Sequence, residues 1–207
     1  MVETDRRTRG RLRRRDQVYA AAVELFVERG FDSTTMDDIA ERSDVARATV
    51  FNYFPRKTAL LDEWSARRRH RALTAVRSEH LEDHSVEEIL RRYMVELGRV
   101  SSETRPETVR LLGAAAHATN ILRKPPLAEE FTRFLARGQE SGEVRASVDV
   151  SLAGLVLAAS YFIILTNWID DDPPPFDLTE QLLRMLDQYL VGILAPGTRR
   201  SPRRSDG

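Results

Sequence analysis

No cysteine occurs in the 207 residues. That excludes a disulfide framework and thiolate metal sites, and makes a reducing cytoplasm the natural compartment. Strand-like alternation of apolar and polar residues is missing too, as is any internal repeat, which leaves an all-α fold class. The signatures GxSxG, GxGxxG and HExxH and the P-loop are absent, so no enzyme chemistry is expected. The arginine-rich N-terminus is not followed by an apolar h-region, so no signal peptide is expected either. Net charge is also lacking, with 32 Lys+Arg against 32 Asp+Glu. Taken alone, that balance argues against a nucleic-acid partner.

The distribution of charge argues the other way. Residues 1–80 carry 17 Lys/Arg against 13 Asp/Glu, and residues 81–207 carry 15 against 19. A basic end and an acidic remainder suit a protein that presents one end to phosphates. The hydrophobic share of 42% is ample for a sizeable core. Residues 1–15 hold seven arginines and almost no apolar content, which reads as a disordered basic arm. It is either a solvated tail or a segment that tracks phosphates or enters a minor groove. Helix 1 follows over about 12–29, with Val18, Ala22, Leu25 and Phe26 on one face and Gly30 as a left-handed cap.

Residues 31–61 then break into three short helices. Thr34 or Thr35 caps the first, with Asp37 or Asp38 in the capping-box position and Met36, Ile39 and Ala40 as its apolar stripe. Ser43-Asp44 interrupts it. A second helix over 46–53 turns Val50 and Phe54 inward and leaves Arg47, Ala48, Thr49, Phe51, Asn52 and Tyr53 on its outer surface. Pro55 stops that helix, and a third starts near Arg56 and runs through Trp64 to the cluster Arg67-Arg68-Arg69-His70-Arg71. Two short helices joined by a tight turn form the unit that lies in a major groove.

The run Gly30-Phe31, Thr35-Met36, Ile39-Ala40, Val45-Ala46, Thr49-Val50-Phe51, Tyr53-Phe54, Lys57 and Leu60-Leu61 resembles the TetR family of bacterial transcriptional regulators. The motif covers about residues 18–61; beyond it only a helix pattern is shared. The resemblance implies an N-terminal three-helix helix-turn-helix domain over 16–62, then a helical ligand-binding and dimerisation domain over 63–195. A disordered arm at 1–15 and tail at 196–207 flank them. It also maps the recognition helix onto 47–53. Arg47, Ala48, Thr49 and Asn52 then face base edges, with Arg47 forking onto guanine and Asn52 onto adenine. Thr34 joins the DNA-binding set, and Thr35, Tyr53 and Lys57 carry over as phosphate contacts. Many relatives have Tyr where this chain has Phe51, so Phe51 is expected to pack or touch a methyl.

A recognition helix of this length reads about four base pairs, so a two-fold pair on a palindromic operator is expected. The segments 152–169 and 177–194 have more apolar surface than one subunit can cover. The family's equivalent pair forms a four-helix dimer interface, and that is carried over. Residues 152–169 contain no charge, a formal membrane span. They lack Lys/Arg anchors and are flanked by Asp149 and Asp170 to Asp172, so a buried helix is expected instead. Its two faces are Leu152, Val156, Ala159, Phe162 or Ile163 and Thr166, and opposite them Leu157, Tyr161, Ile164 and Trp168.

The family usually binds a small, often apolar inducer within the C-terminal domain. Tyr93, Met94, Arg110, His117, Asn120, Phe131, Phe134, Tyr161 and Trp168 are the candidates to line such a cavity here, His117 and Asn120 being polar groups among alanines. The helix after Arg56 is the expected lever between the domains. His80, Glu82 and His84 lack a further ligand on the same face, so no metal site is expected, and no cofactor is. The expected function is a small-molecule-released repressor, with an activator or a constitutive regulator as alternatives.

Overall fold

Helix 1 begins well before its expected position. In the computed structural model, which describes residues 2–78, 84–118 and 126–193, α1 runs Val2–Arg29. The segment expected to be a disordered arm is therefore the leading part of that helix. Arginine is a good helix former and no proline intervenes. Arg15 fixes the helix to its surroundings through paired hydrogen bonds to Glu63, at 2.7 and 2.6 Å. The far end closes as expected: Gly30 has φ 86°, and its N–H donates to the Phe26 carbonyl at 3.0 Å. A side chain at that left-handed position would cost about 1–2 kcal/mol.

The elements that follow are α2 (Met36–Arg42), α3 (Arg47–Tyr53), α4 (Thr58–Ser78), α5 (Val86–Glu103), α6 (Arg105–Ala118), α7 (Pro126–Glu140), α8 (Val150–Ile169) and α9 (Leu178–Ile193). Among the described residues there is no strand, and the fold is all-α. Packing divides the chain into two compact units, residues 1–68 with 104–121, and residues 69–103 with 122–207. This differs from a boundary at 62/63, because α6 belongs with the first unit. There the Trp64 indole N–H donates to Glu107 at 3.1 Å, Arg68 donates to the Thr104 hydroxyl, and Leu111, Leu112 and Ala115 are buried. The remaining core of this unit is Val18, Ala22, Leu25, Phe26, Ile39, Val50, Phe54, Leu60 and Leu61.

An ion network ties α1 to α4. Arg67 bonds Glu63 at 2.7 Å and Asp16 at 2.5 Å, and its guanidinium stands 4.1 Å over the Tyr19 ring. The hydrogen bond from Arg15 holds the Glu63 carboxyl below the usual carboxylate range, while burial pushes the Tyr19 phenol up to about 12.

In the second unit, α5 opens with a capping box: the Ser85 N–H donates to Glu88, and the Glu88 N–H donates back to the Ser85 hydroxyl. Asp149 caps α8 through the N–H groups of Ser151 and Leu152, each at 3.0 Å. α9 packs on α5 and α8 with Leu182, Leu186 and Leu190 buried, and Arg91 of α5 pairs with Asp187 of α9. Leu182 and Leu186 are thus core residues of this chain.

α8 packs on α7 so closely that only glycine fits at 154. A Cβ there would lie 2.4 Å from the Thr132 hydroxyl oxygen and 2.7 Å from the Ala128 carbonyl. The Tyr189 hydroxyl donates to the Ala153 carbonyl at 2.8 Å and so ties α9 to the same stretch. Of the two faces expected on α8, Leu157, Tyr161 and Trp168 are buried, whereas Leu152 (58% exposed), Val156 (41%) and Ile163 (62%) are not. Only one face finds cover within the subunit. Gly154→Ala is expected to push α8 off α7 and cost about 1–3 kcal/mol. Denaturant unfolding checks this, and an unchanged midpoint would contradict it.

Candidate nucleic-acid interface

The geometry of α2 and α3 is set by their ends. Thr35 is the N-cap of α2, in extended conformation, and its hydroxyl oxygen accepts the Asp38 N–H at 3.1 Å. Asp38 in return accepts the Thr35 N–H and hydroxyl, each at 2.7 Å. Those bonds, the backbone one first, hold the Asp38 carboxyl below its usual range. At the other end, Ser43 caps the helix and Asp44 takes a left-handed conformation with φ 50°. The Val45 N–H bonds the Ala40 carbonyl and the Asp44 N–H bonds Glu41, both at 3.1 Å. This is a Schellman turn with aspartate where glycine is usual; Asp tolerates that conformation better than most residues. The Gln17 side chain donates to the Ser43 carbonyl at 2.7 Å and fastens the turn to α1.

α3 then starts at Arg47 with no side-chain cap. Val50 and Phe54 are buried and seat it on the core. Arg47, Ala48, Phe51 and Asn52 are exposed, while Thr49 and Tyr53 are half-buried. The guanidinium of Arg47 pairs through Nε with Asp37 at 2.9 Å and stands 5.7 Å from the Phe51 ring. The pair is exposed, so its energy is small, about 0–1 kcal/mol. Its geometric effect is larger, since the Nη edge stays available for a forked contact. Asp37 gave no sequence signal for this role, because its partner lies across a turn.

Two residues of the expected DNA-binding set are placed elsewhere. Thr34 is 1% exposed, with its hydroxyl donating to the Gly30 carbonyl at 2.8 Å. It holds the α1–α2 corner and is withdrawn from the contact surface, leaving Thr35 as the exposed one of the pair. Lys57 is half-buried, and its ammonium donates to the carbonyls of Phe31 (2.5 Å), Asp32 (3.3 Å) and Thr34 (2.8 Å). It also stands 4.3 Å over the Phe31 ring. Its ammonium is thus turned onto the loop that delivers Thr35.

The candidates for a small-molecule site divide between the units. In the second, Tyr93 and Met94 are fully buried, Tyr161 and Trp168 nearly so, and Phe134 is half-buried. The Tyr93 ring meets Phe131 and Phe134 edge-on at 5.6 and 5.5 Å. Its hydroxyl donates to the buried Glu130, whose other oxygen lies 3.5 Å from Arg69. Burial, then the Glu130 charge, drives the Tyr93 phenol far above its ordinary value. The Ser101 and Tyr161 hydroxyls are 3.3 Å apart. Glu130, Arg69 and Ser101 escaped sequence reading, because nothing in periodicity marks a buried ion pair. Arg110 is exposed on α6 in the first unit, opposite the buried Leu111 and Leu112 side, so it is withdrawn from the lining. The side chain of His117 and all of Asn120 lie outside the described residues, as do His80 and Glu82. No metal-binding cluster occurs among the described residues.

Residues 18–64 match the family profile of bacterial regulatory proteins, tetR family. The HTH-type transcriptional regulator LuxR of Vibrio harveyi is 47% identical over 52 residues, a match that spans 25% of this chain and 25% of that relative. The probable acrEF/envCD operon repressor of Escherichia coli K12 is 23% identical over 195 residues, 86% of either chain. Among solved structures, Thermus thermophilus FadR, a tetR-family transcriptional repressor in complex with lauroyl-CoA, superposes with a TM-score of 0.69. It is 28% identical, over 93% of this chain and all of that one.

The Lys57 geometry makes a prediction that separates structure from DNA contact. Lys57→Met removes the ammonium from three carbonyls, of which that of Phe31 keeps the Thr34 N–H, and should cost about 1–3 kcal/mol of stability. Thermal unfolding without DNA checks it. An unchanged Tm would return Lys57 to the phosphate contacts.

Proposed function

We propose that this chain, which belongs to the tetR family of bacterial regulatory proteins, is a cytoplasmic repressor. In this reading it binds a palindromic operator as a homodimer and leaves it on binding a small molecule. The observation that carries the DNA half is the exposed row Arg47, Ala48 and Asn52 on a seven-residue helix seated by Val50 and Phe54. Such a helix fits a major groove, and its side chains match base edges: a fork for guanine, an amide for adenine, a methyl for thymine. Thr35 and Tyr53 hold phosphates at the groove walls, and Thr49 and Phe51 meet methyl groups.

The dimer half rests on the uncovered face of α8. Leu152, Val156 and Ile163 recur at helical spacing, and Leu155 and, on α9, Val191 are exposed too. A stripe of this length is costly to leave in water, and a two-fold partner presenting the same stripe covers it. By length and composition alone the helix is apolar enough to cross a membrane. Its buried face, capped start and close seat on α7 favour a protein interface instead.

The inducer is placed in the second unit, with Tyr93, Met94, Phe134, Tyr161 and Trp168 as its apolar walls. Lauroyl-CoA, the ligand of the Thermus FadR structure, is the first probe to apply. The inducer must bind the DNA-incompetent arrangement better by a few kcal/mol to empty the operator. α4, whose residues belong to both units, is the proposed lever.

Selection from a pool of randomised duplexes, followed by anisotropy titration at graded salt, tests the function. An enriched inverted repeat and a steep loss of affinity with salt are expected; equal affinity for selected and scrambled duplexes would overturn the reading. On the selected site, Arg47→Ala should cost about 1–3 kcal/mol and relax preference at one symmetric pair of positions. Uniform weakening at all positions would move Arg47 to the phosphates. Ile163→Glu, at a position 62% exposed in the subunit, should leave the fold intact and give monomers by sedimentation. A variant that stays dimeric would relocate the interface.

A further inference from the structure

The leading part of α1 carries a feature that the recognition helix does not use. Val18, Ala22 and Leu25 form the stripe of α1 buried in the head. At the same helical spacing toward the N-terminus, that stripe continues as Arg14 and Arg11. Both are exposed, and among the described residues neither takes part in an ion pair. Arg15, next to them, has its guanidinium 4.9 Å over the ring of Phe54, and Phe54 is the C-cap of α3. Here α1 passes the C-terminal end of the recognition helix, and Arg11 lies about 6 Å further along the axis.

We infer that Arg11 and Arg14 form a second DNA-contact site, which grips backbone phosphates where the duplex runs past the end of α3. The inference rests on the DNA-binding reading above. α3, with seven residues, is about 10 Å long, and the major groove it would enter is about 12 Å wide. Its C-terminal end therefore approaches a sugar-phosphate wall. The α1 stripe turns from apolar to arginine at the point where it leaves protein and meets that wall. Arginine forks suit phosphate oxygens without reading sequence. Because α1 is helical there, the charges arrive ordered on one side, whereas Arg13 stands roughly opposite them. The site gives affinity and register to the dimer, not base preference.

The test compares Arg11→Gln/Arg14→Gln with Arg13→Gln on a selected duplex and a scrambled one. The double variant removes four phosphate contacts per dimer. The slope of log affinity against log salt should become shallower by about 3–4. The ratio of selected to scrambled affinity, the Tm and the dimer should stay at parent values, and Arg13→Gln should keep most of the parent slope. A parent-like slope in the double variant, or an equal change in Arg13→Gln, would overturn the inference. So would a drop in the selected-to-scrambled ratio, which would mean base readout. If instead the parent fails to distinguish the two duplexes, the proposed function itself fails.

Discussion

The ammonium of Lys57, enclosed by the carbonyls of Phe31, Asp32 and Thr34, is the contact on which the presentation of α3 depends. Those carbonyls belong to the corner between α1 and α2, where no helix hydrogen bonds are available to satisfy them. Once the corner is closed, Thr35 is delivered in the extended conformation its capping box requires. That fixes α2, the left-handed Asp44 sets the turn, and α3 emerges with Val50 inward and Arg47, Ala48 and Asn52 outward. The exposed face of α3 thus rests on a chain of local closures, each made by a polar group with a defined partner.

The helix-turn-helix was legible because its signals are local. Capping residues, a glycine at the helix end and two inward apolar positions all act within a few residues of each other, and Gly30, Val50 and Phe54 stand where spacing put them. The choice between Thr34 and Thr35 was not legible, since both can cap and only the three-dimensional corner decides. The internal bonds of Lys57 were hidden for a related reason. A lysine beside a recognition helix looks like a phosphate contact until the carbonyls 23 to 26 residues earlier are seen around it.

The second unit shows the limit of periodicity more plainly. α8 and α9 both appear as helices in sequence, but a stripe does not say which neighbour covers it. Leu182 and Leu186 on α9, which packs on α5 and α8, turn out to be buried within the chain, while α8 leaves Leu152, Val156 and Ile163 open. Similarly, the arginine run at the N-terminus has the composition of a disordered arm, yet it continues α1. Composition registers its charge and misses that the helix orders it.

The account's central claim is that DNA is read by a pre-formed α3 surface. Hydrogen exchange of the protein, followed by mass spectrometry with and without a selected duplex, tests it most directly. The account predicts that the amides of α2 and the α1–α2 corner are already slow without DNA, and that added protection is confined to α3 and the leading turns of α1. Protection that appears instead along α8, or a head that becomes ordered only when DNA is added, would contradict it.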